Sequence, residues 1–241
     1  MTEGLYDPDG RGGNRGWADR LAGHLAAQSG AILYANLAVR GRRTHEIRAD
    51  QLRPALELEP DLLSIAAGMN DLLRPSFALD QVIADMDDML RAGKEAGATV
   101  LTMTFGDPVP INPYARVLTR RMTVFNERIR ESAARHGAVL IDFATEPAVS
   151  DARFWCEDRL HANSAGHERI AAAAAEAMGL DLEGPRWNVP LDPAPRRARR
   201  ERIAREVIWA RRHLAPWIMR RVRKVSSGDG VLPKRPDLEP L

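Results

Sequence analysis

The sequence predicts an α/β fold: a three-layer α/β/α sandwich around a parallel, flavodoxin-like sheet. Two observations carry this. Residues 31–39, 62–67, 99–105 and 139–143 are short runs, apolar on both faces, as central parallel strands are. Amphipathic stretches at 17–28, 78–95, 114–136 and 164–178 alternate with them and read as covering helices. A chain of 241 residues, 44% hydrophobic and 28% charged, has the makeup of an ordinary globular protein. One domain with an appendage is the simplest organisation.

Charge and proline place the division. From Gly184 onward there are 15 Lys/Arg against 6 Asp/Glu, a net +9, while residues 1–183 hold 20 against 27, a net −7. Pro185, Pro190, Pro193 and Pro195 interrupt any regular pattern at the same place. The predicted domains are therefore an acidic globule, 1–183, and a basic, partly helical extension, 184–241.

Several function classes lack support. Cys156 is the single cysteine, so no intramolecular disulfide is available. No apolar run approaches the roughly 18 residues of a spanning helix, and the first ten residues lack a signal peptide's apolar core; the expected location is cytoplasmic. No G-x-G-x-x-G or phosphate-loop pattern occurs, and no cofactor is expected. His161 and His167 have no third ligand at a supporting spacing, so a metal is not expected either.

In a parallel sheet the ligand sits beyond the carboxyl ends of the strands, so the loops there are the place to look for chemistry. After the first visible strand comes Asn36-Leu-Ala-Val-Arg-Gly41; after the second, Gly68-Met-Asn70-Asp71; after the last, Cys156-Glu157-Asp158-Arg159-Leu160-His161. Asp158 and His161, three apart, let a carboxylate orient an imidazole that faces something else, as in two-thirds of a nucleophilic triad. Taken singly, each signal has a structural alternative. Gly41 can be a turn glycine, Asn70 and Asp71 can cap a helix, and Asp158 and His161 can be a loop cap and a surface histidine. Cys156 reads as a small buried apolar residue. Neither Ser64, within a strand, nor Ser164, at a helix start, is placed as a nucleophile.

Asn-x-Ala-x-x-Gly, Gly-x-Asn-Asp and Asp-x-x-His, in this order and spacing, resemble the second, third and fifth sequence blocks of the SGNH hydrolases, the GDSL-type esterases and lipases. The resemblance runs from Met1 to about Leu180, and the tail resembles extensions of actinobacterial members. It implies a serine hydrolase acting on a carboxylic or acetyl ester of a small molecule, lipid or sugar. Asp158 and His161 would be its catalytic pair, and Gly41 and Asn70 would be its oxyanion donors. The family's first block is Gly-Asp-Ser-x-Thr-x-Gly, and Met1-Thr2-Glu3-Gly4 matches its last four positions. The implied nucleophile is the residue just before Met1, and the chain as written is expected to be inactive without it. The alternative is a catalytically inactive SGNH-fold binding or interaction protein.

The same resemblance, with the strand order 2-1-3-4-5, places an expected missing first strand inside the sheet, between the strands at 31–39 and 62–67, leaving two inner edges unpaired.

In the tail, residues 194–225 are helical in pattern and rich in arginine, with Ile203, Val207, Ile208, Leu214, Trp217, Ile218 and Val222 as an apolar stripe and Pro216 starting a second short helix. The expectation is that this stripe packs on the acidic domain, with Trp209, Trp217 and Ile218 as anchors. The alternative is weak contact with an anionic membrane surface through the basic helix. Specific nucleic-acid binding is not expected, and the end of the chain from Ser226 reads as flexible. The ester substrate itself is not named by any spacing.

Overall fold

The computed structural model describes residues 1–10, 13–184, 186–195, 198–223 and 225–241. In chain order its elements are helix α1 (Trp17–Ser29), strand β1 (Leu33–Asn36), helices α2 (Thr44–Asp50) and α3 (Leu52–Glu57), strand β2 (Leu62–Ile65), helices α4 (Met69–Leu72) and α5 (Leu79–Glu95), strand β3 (Thr99–Met103), helix α6 (Thr119–His136), strand β4 (Val139–Ile141), helices α7 (Ser164–Ala177), α8 (Arg199–Trp209) and α9 (Ala215–Val222), and strand β5 (Arg235–Pro240). The expected alternation of strand and helix is present. Residues 114–136 divide in two: Asn112 caps a 3₁₀ turn at Pro113–Leu118 by accepting the Tyr114 N–H at 3.2 Å, and α6 follows.

Strands β2, β3 and β4 form a parallel sheet in that order, with Leu62 opposite Thr99 and Leu101 opposite Val139. The two-residue period of a strand sends its side chains to opposite faces, and both faces are covered. Leu101, Met103 and Ile141 pack with Trp17 and Leu21 of α1 and Ile170 and Ala174 of α7. Val100 and Ile65 pack with Ile83 and Met86 of α5 and Phe125 and Ile129 of α6. Three layers result.

Strand β1 is not hydrogen-bonded to β2. It pairs antiparallel with β5 instead, Leu33 opposite Pro240 and Asn36 opposite Arg235, and the Leu241 N–H donates to the Ile32 carbonyl at 3.3 Å. The expectation of a flexible end is therefore corrected for residues 235–240. An unpaired edge draws in an extended segment even when prolines such as Pro236 and Pro240 limit its donors. Residues of β1 and β2 line a continuous cavity of about 1810 Å³ that is also lined by the loops after these strands. Met1 lies against the apolar clusters on both faces of the sheet.

The second short helix expected at Pro216 is α9, which begins at Ala215, and a π-helical turn, Ala210–Leu214, joins it to α8 as one arm. One expectation about the tail changes. The arm meets the globule through Trp209, which is buried, whereas Ile203, Val207, Ile208, Ile218 and Val222 of the expected packing stripe are exposed. No described helix is long and apolar enough to cross a membrane.

Candidate active site

The loop between β4 and α7 carries the acid and the imidazole. Asp158 folds back on its own loop: Oδ1 accepts the backbone N–H groups of Leu160 at 3.0 Å and His161 at 3.1 Å, while Oδ2 lies 2.6 Å from His161 Nδ1. Burial pushes the Asp158 carboxyl up. The bond from His161 and the backbone donors outweigh that and hold its pKa below the usual carboxylate value, so it is ionised at neutral pH. An ionised Asp158 accepts from Nδ1–H and leaves the Nε2 lone pair as the imidazole's open position. Nε2 has no hydrogen-bond partner among the described residues. Tyr6 packs edge-on against the His161 ring at 5.5 Å.

The expected oxyanion donors come from the loops after β1 and β2. Gly41 has φ of 77°, and a Cβ there would collide with the Ser226 hydroxyl, so its backbone position requires glycine on two counts. The Gly41 N–H donates to no described group. Asn70 sits in the first turn of α4, and its Nδ2 donates one hydrogen to the Arg42 carbonyl at 2.9 Å, leaving the second hydrogen available. That bond ties Asn70 to the Gly41 loop. Asp71 beside it is structural: buried, it accepts the Thr44 N–H at 3.0 Å and the Thr44 hydroxyl at 2.9 Å. Burial is the chief reason its pKa is raised.

The first residues clamp the same loop. Glu3 accepts the Arg40 N–H at 2.8 Å and pairs with the Arg40 guanidinium. Gly4, at φ of 85°, lets its backbone run directly against Gly16 at the start of α1, where a Cβ would strike the Gly16 nitrogen. Met1, Thr2, Gly41, Asn70, Asp158 and His161 thus line one cavity. All four residues the sequence singled out line that cavity.

The role of Arg159 had no sequence signal. Arg159, between the acid and the imidazole, has a left-handed backbone, φ 60°, and reaches away from the loop to Glu206 of α8 and over the Trp209 ring at 4.4 Å. Trp209 in turn stacks on Tyr114 at 5.6 Å, their planes 4° apart. Trp209, Arg212, His213, Pro216, Trp217 and Arg220 then face the cavity along one side of the arm. His167, weighed above as a metal ligand, is instead a core residue whose Nδ1 accepts the Trp17 N–H at 3.1 Å. Burial is the main cause that takes its pKa down to about 4. Cys156 is half-buried, its thiol pushed up to about 11 first by burial and then by the charge of Asp158.

A family model described as the GDSL-like lipase/acylhydrolase family matches residues 1–169. Among solved structures, an acetylxylan esterase of Geobacillus stearothermophilus is similar with a TM-score of 0.58 at 19% identity, covering 70% of this chain and 83% of that one. A variant of it, described as an acetyl-xylooligosaccharide esterase, gives 0.61 at 19% identity over 73% and 86%. An alpha/beta hydrolase from the metagenome of Lake Arreo, Spain, gives 0.56 at 21% identity over 73% and 88%. At these identities the likeness is one of fold. The Geobacillus enzyme is also known as three catalytic mutants, at a serine, an aspartate and a histidine, the last two being three residues apart in that chain. No curated protein matches the chain.

Proposed function

This chain belongs to the GDSL-like lipase/acylhydrolase family, and from that premise we propose that it cleaves a carboxylic or acetyl ester by serine-hydrolase chemistry, with His161 as general base and Asp158 as its orienting carboxylate. A serine hydroxyl adds to the ester carbonyl as its proton passes to His161 Nε2. The tetrahedral oxyanion takes hydrogen bonds from the Gly41 N–H and the free Asn70 Nδ2 hydrogen. Collapse expels the alcohol, which takes the proton from His161, and water then releases the acid from the acyl-serine by the same two steps. The reading rests chiefly on the 2.6 Å Asp158–His161 contact, with Nε2 unpartnered in a cavity shared with Gly41 and Asn70. The Geobacillus esterase, with its catalytic aspartate and histidine at the same spacing, supports it.

In this reading the nucleophile is a serine directly ahead of Met1 in a longer polypeptide, completing the motif that continues as Thr2-Glu3-Gly4. Met1 and Thr2 already line the cavity with His161. The test is to express the chain with a preceding apolar strand ending Gly-Asp-Ser and to assay p-nitrophenyl acetate and acetylated xylo-oligosaccharides. Turnover in the extended form, lost in a His161→Ala variant, is expected. Equal, His161-dependent turnover by the 241-residue form would show that another group is the nucleophile. The second reading is a non-catalytic binding member of the family. An extended form that folds and turns over no ester would support it.

A further inference from the structure

The arm formed by α8, the π-helical turn and α9 has two faces of opposite character. One meets the globule: Glu206 pairs with Arg159, Trp209 is buried against Tyr114, and Trp217 and Arg220 face the cavity. On the other, the described residues leave the apolar side chains exposed. Ile203, Val207 and Ile208 on α8, and Ile218, Met219 and Val222 on α9, are spaced as a single stripe on each helix and are 47–73% exposed. Isolated exposed aliphatics are ordinary, but six along one helical arm form a patch that a lone soluble protein seldom leaves open.

Charge decides between possible occupants. Residues 199–223 hold nine arginines against Glu201 and Glu206, a net +7, and every arginine of the arm whose side chain is described is exposed. A second copy docking through the same face would bring +7 against +7. An anionic bilayer offers what this surface matches along its whole length, an apolar layer for the stripe and negative headgroups for the flanking guanidiniums.

We propose that the outer face of the arm is an interfacial helix that seats the protein on an anionic lipid surface, burying Ile203, Val207, Ile208, Ile218, Met219 and Val222 among the acyl chains near the headgroups while Trp209 keeps the arm fastened to the hydrolase domain. This goes beyond the ester-hydrolase reading and stands whether or not the chain turns over an ester.

Co-sedimentation tests it on the 241-residue protein, with vesicles of phosphatidylcholine alone or of phosphatidylcholine and phosphatidylglycerol in equal parts. Binding to the phosphatidylglycerol vesicles, weakened by high salt and small on phosphatidylcholine alone, is expected. A Val207→Ser/Ile218→Ser/Val222→Ser variant, altered only at exposed positions and checked for an unchanged circular dichroism spectrum, should lower the partition coefficient about tenfold or more. If that variant loses its fold, the pair Ile203→Ser/Met219→Ser serves in its place. No binding by the unaltered protein overturns the proposal. So does binding that the serine variants leave unchanged, since charge alone would then hold the protein. A dimer in sedimentation velocity that the same variants dissolve, without vesicle binding, would assign the face to a second copy and also overturn it.

Discussion

Arg159 and Glu206 meet as a two-pronged ion pair, Nη1 to Oε2 at 2.9 Å and Nη2 to Oε1 at 2.7 Å, across 47 residues of sequence. The bond from Arg159 is the chief reason the Glu206 carboxyl is held below its usual pKa. Because Arg159 stands between Asp158 and His161, the arm is tied to the loop that carries the acid and the imidazole. The pair is partly exposed, so Glu206→Gln should cost only about 0.5–1 kcal/mol. Trp209→Ala removes a buried ring along with its stack on Tyr114 and should cost about 2 kcal/mol or more, with faster amide exchange through residues 199–222. Thermal denaturation and hydrogen exchange measure both. Truncation after Gly184 should lower the melting temperature further, since it also removes β5 from the edge of β1. A truncated protein with an unchanged melting temperature would show the arm to be loosely attached.

In the serine-extended enzyme, His161→Ala should remove nearly all turnover. Asp158→Asn should keep the fold and lower kcat severely, because an amide cannot stabilise the imidazolium. Asn70→Ala should lower kcat about 10²–10³-fold with little change in KM, the signature of a donor used only in the transition state. Steady-state kinetics on a short acyl ester separates these, and wild-type turnover by Asn70→Ala would refute its oxyanion role.

Gly41→Ala combines two effects. It places a Cβ at φ of 77° and against Ser226, which should cost about 1–2 kcal/mol of stability. If the Gly41 N–H is an oxyanion donor, kcat should fall as well. Ser226→Gly in the same background should return part of the stability by opening space, and chemical denaturation of the single and double variants reads this out.

What the sequence made legible is what local chemistry controls. Asp158 and His161 lie three residues apart in one loop, so their spacing already implies contact, and strands buried on both faces announce themselves by apolar runs. Long-range partners left no such trace. Nothing around Arg159 indicates Glu206, and nothing in Tyr6 indicates that its ring rests against His161. Residues 235–240 lack the β-branched alternation of a strand and form one because the β1 edge is available. In the arm, periodicity located an apolar stripe, but the expectation that the globule covers it did not hold, because the burial falls on the opposite side. Trp209, only one position beyond Ile208, carries the packing because Tyr114 and Arg159 meet it there.

Cys156 is in the same loop as the dyad and invites suspicion as a nucleophile. Its thiol donates to the Ala162 carbonyl at 3.4 Å, and burial with the nearby carboxylates pushes its pKa up to about 11. The thiolate is the reactive form, so alkylation by iodoacetamide at pH 8 should run roughly a hundredfold slower in the native protein than in the urea-unfolded chain. Mass spectrometry of timed samples measures the ratio. Comparable rates in the two states would show an accessible thiolate and reopen Cys156 as a reactive group.

His167 sets an acid limit on stability. It is fully buried beneath α1, accepts the Trp17 N–H on Nδ1, and has its pKa taken from 6.5 to about 4, chiefly by burial. Above about pH 6.5 the imidazole is neutral in both folded and unfolded chains and has no effect on the pH dependence. Between 6.5 and 4 the unfolded chain takes up a proton that the folded one refuses, so stability falls with pH over that window by on the order of 3 kcal/mol. Urea unfolding midpoints measured from pH 7.5 to 4 should drop along this course. A His167→Gln variant, whose carbonyl can still accept from Trp17 but which does not titrate, should start less stable at neutral pH and show a shallower decline. An equal slope in the two proteins would mean that carboxylates such as Asp158, whose folded pKa is also depressed, govern the acid transition instead.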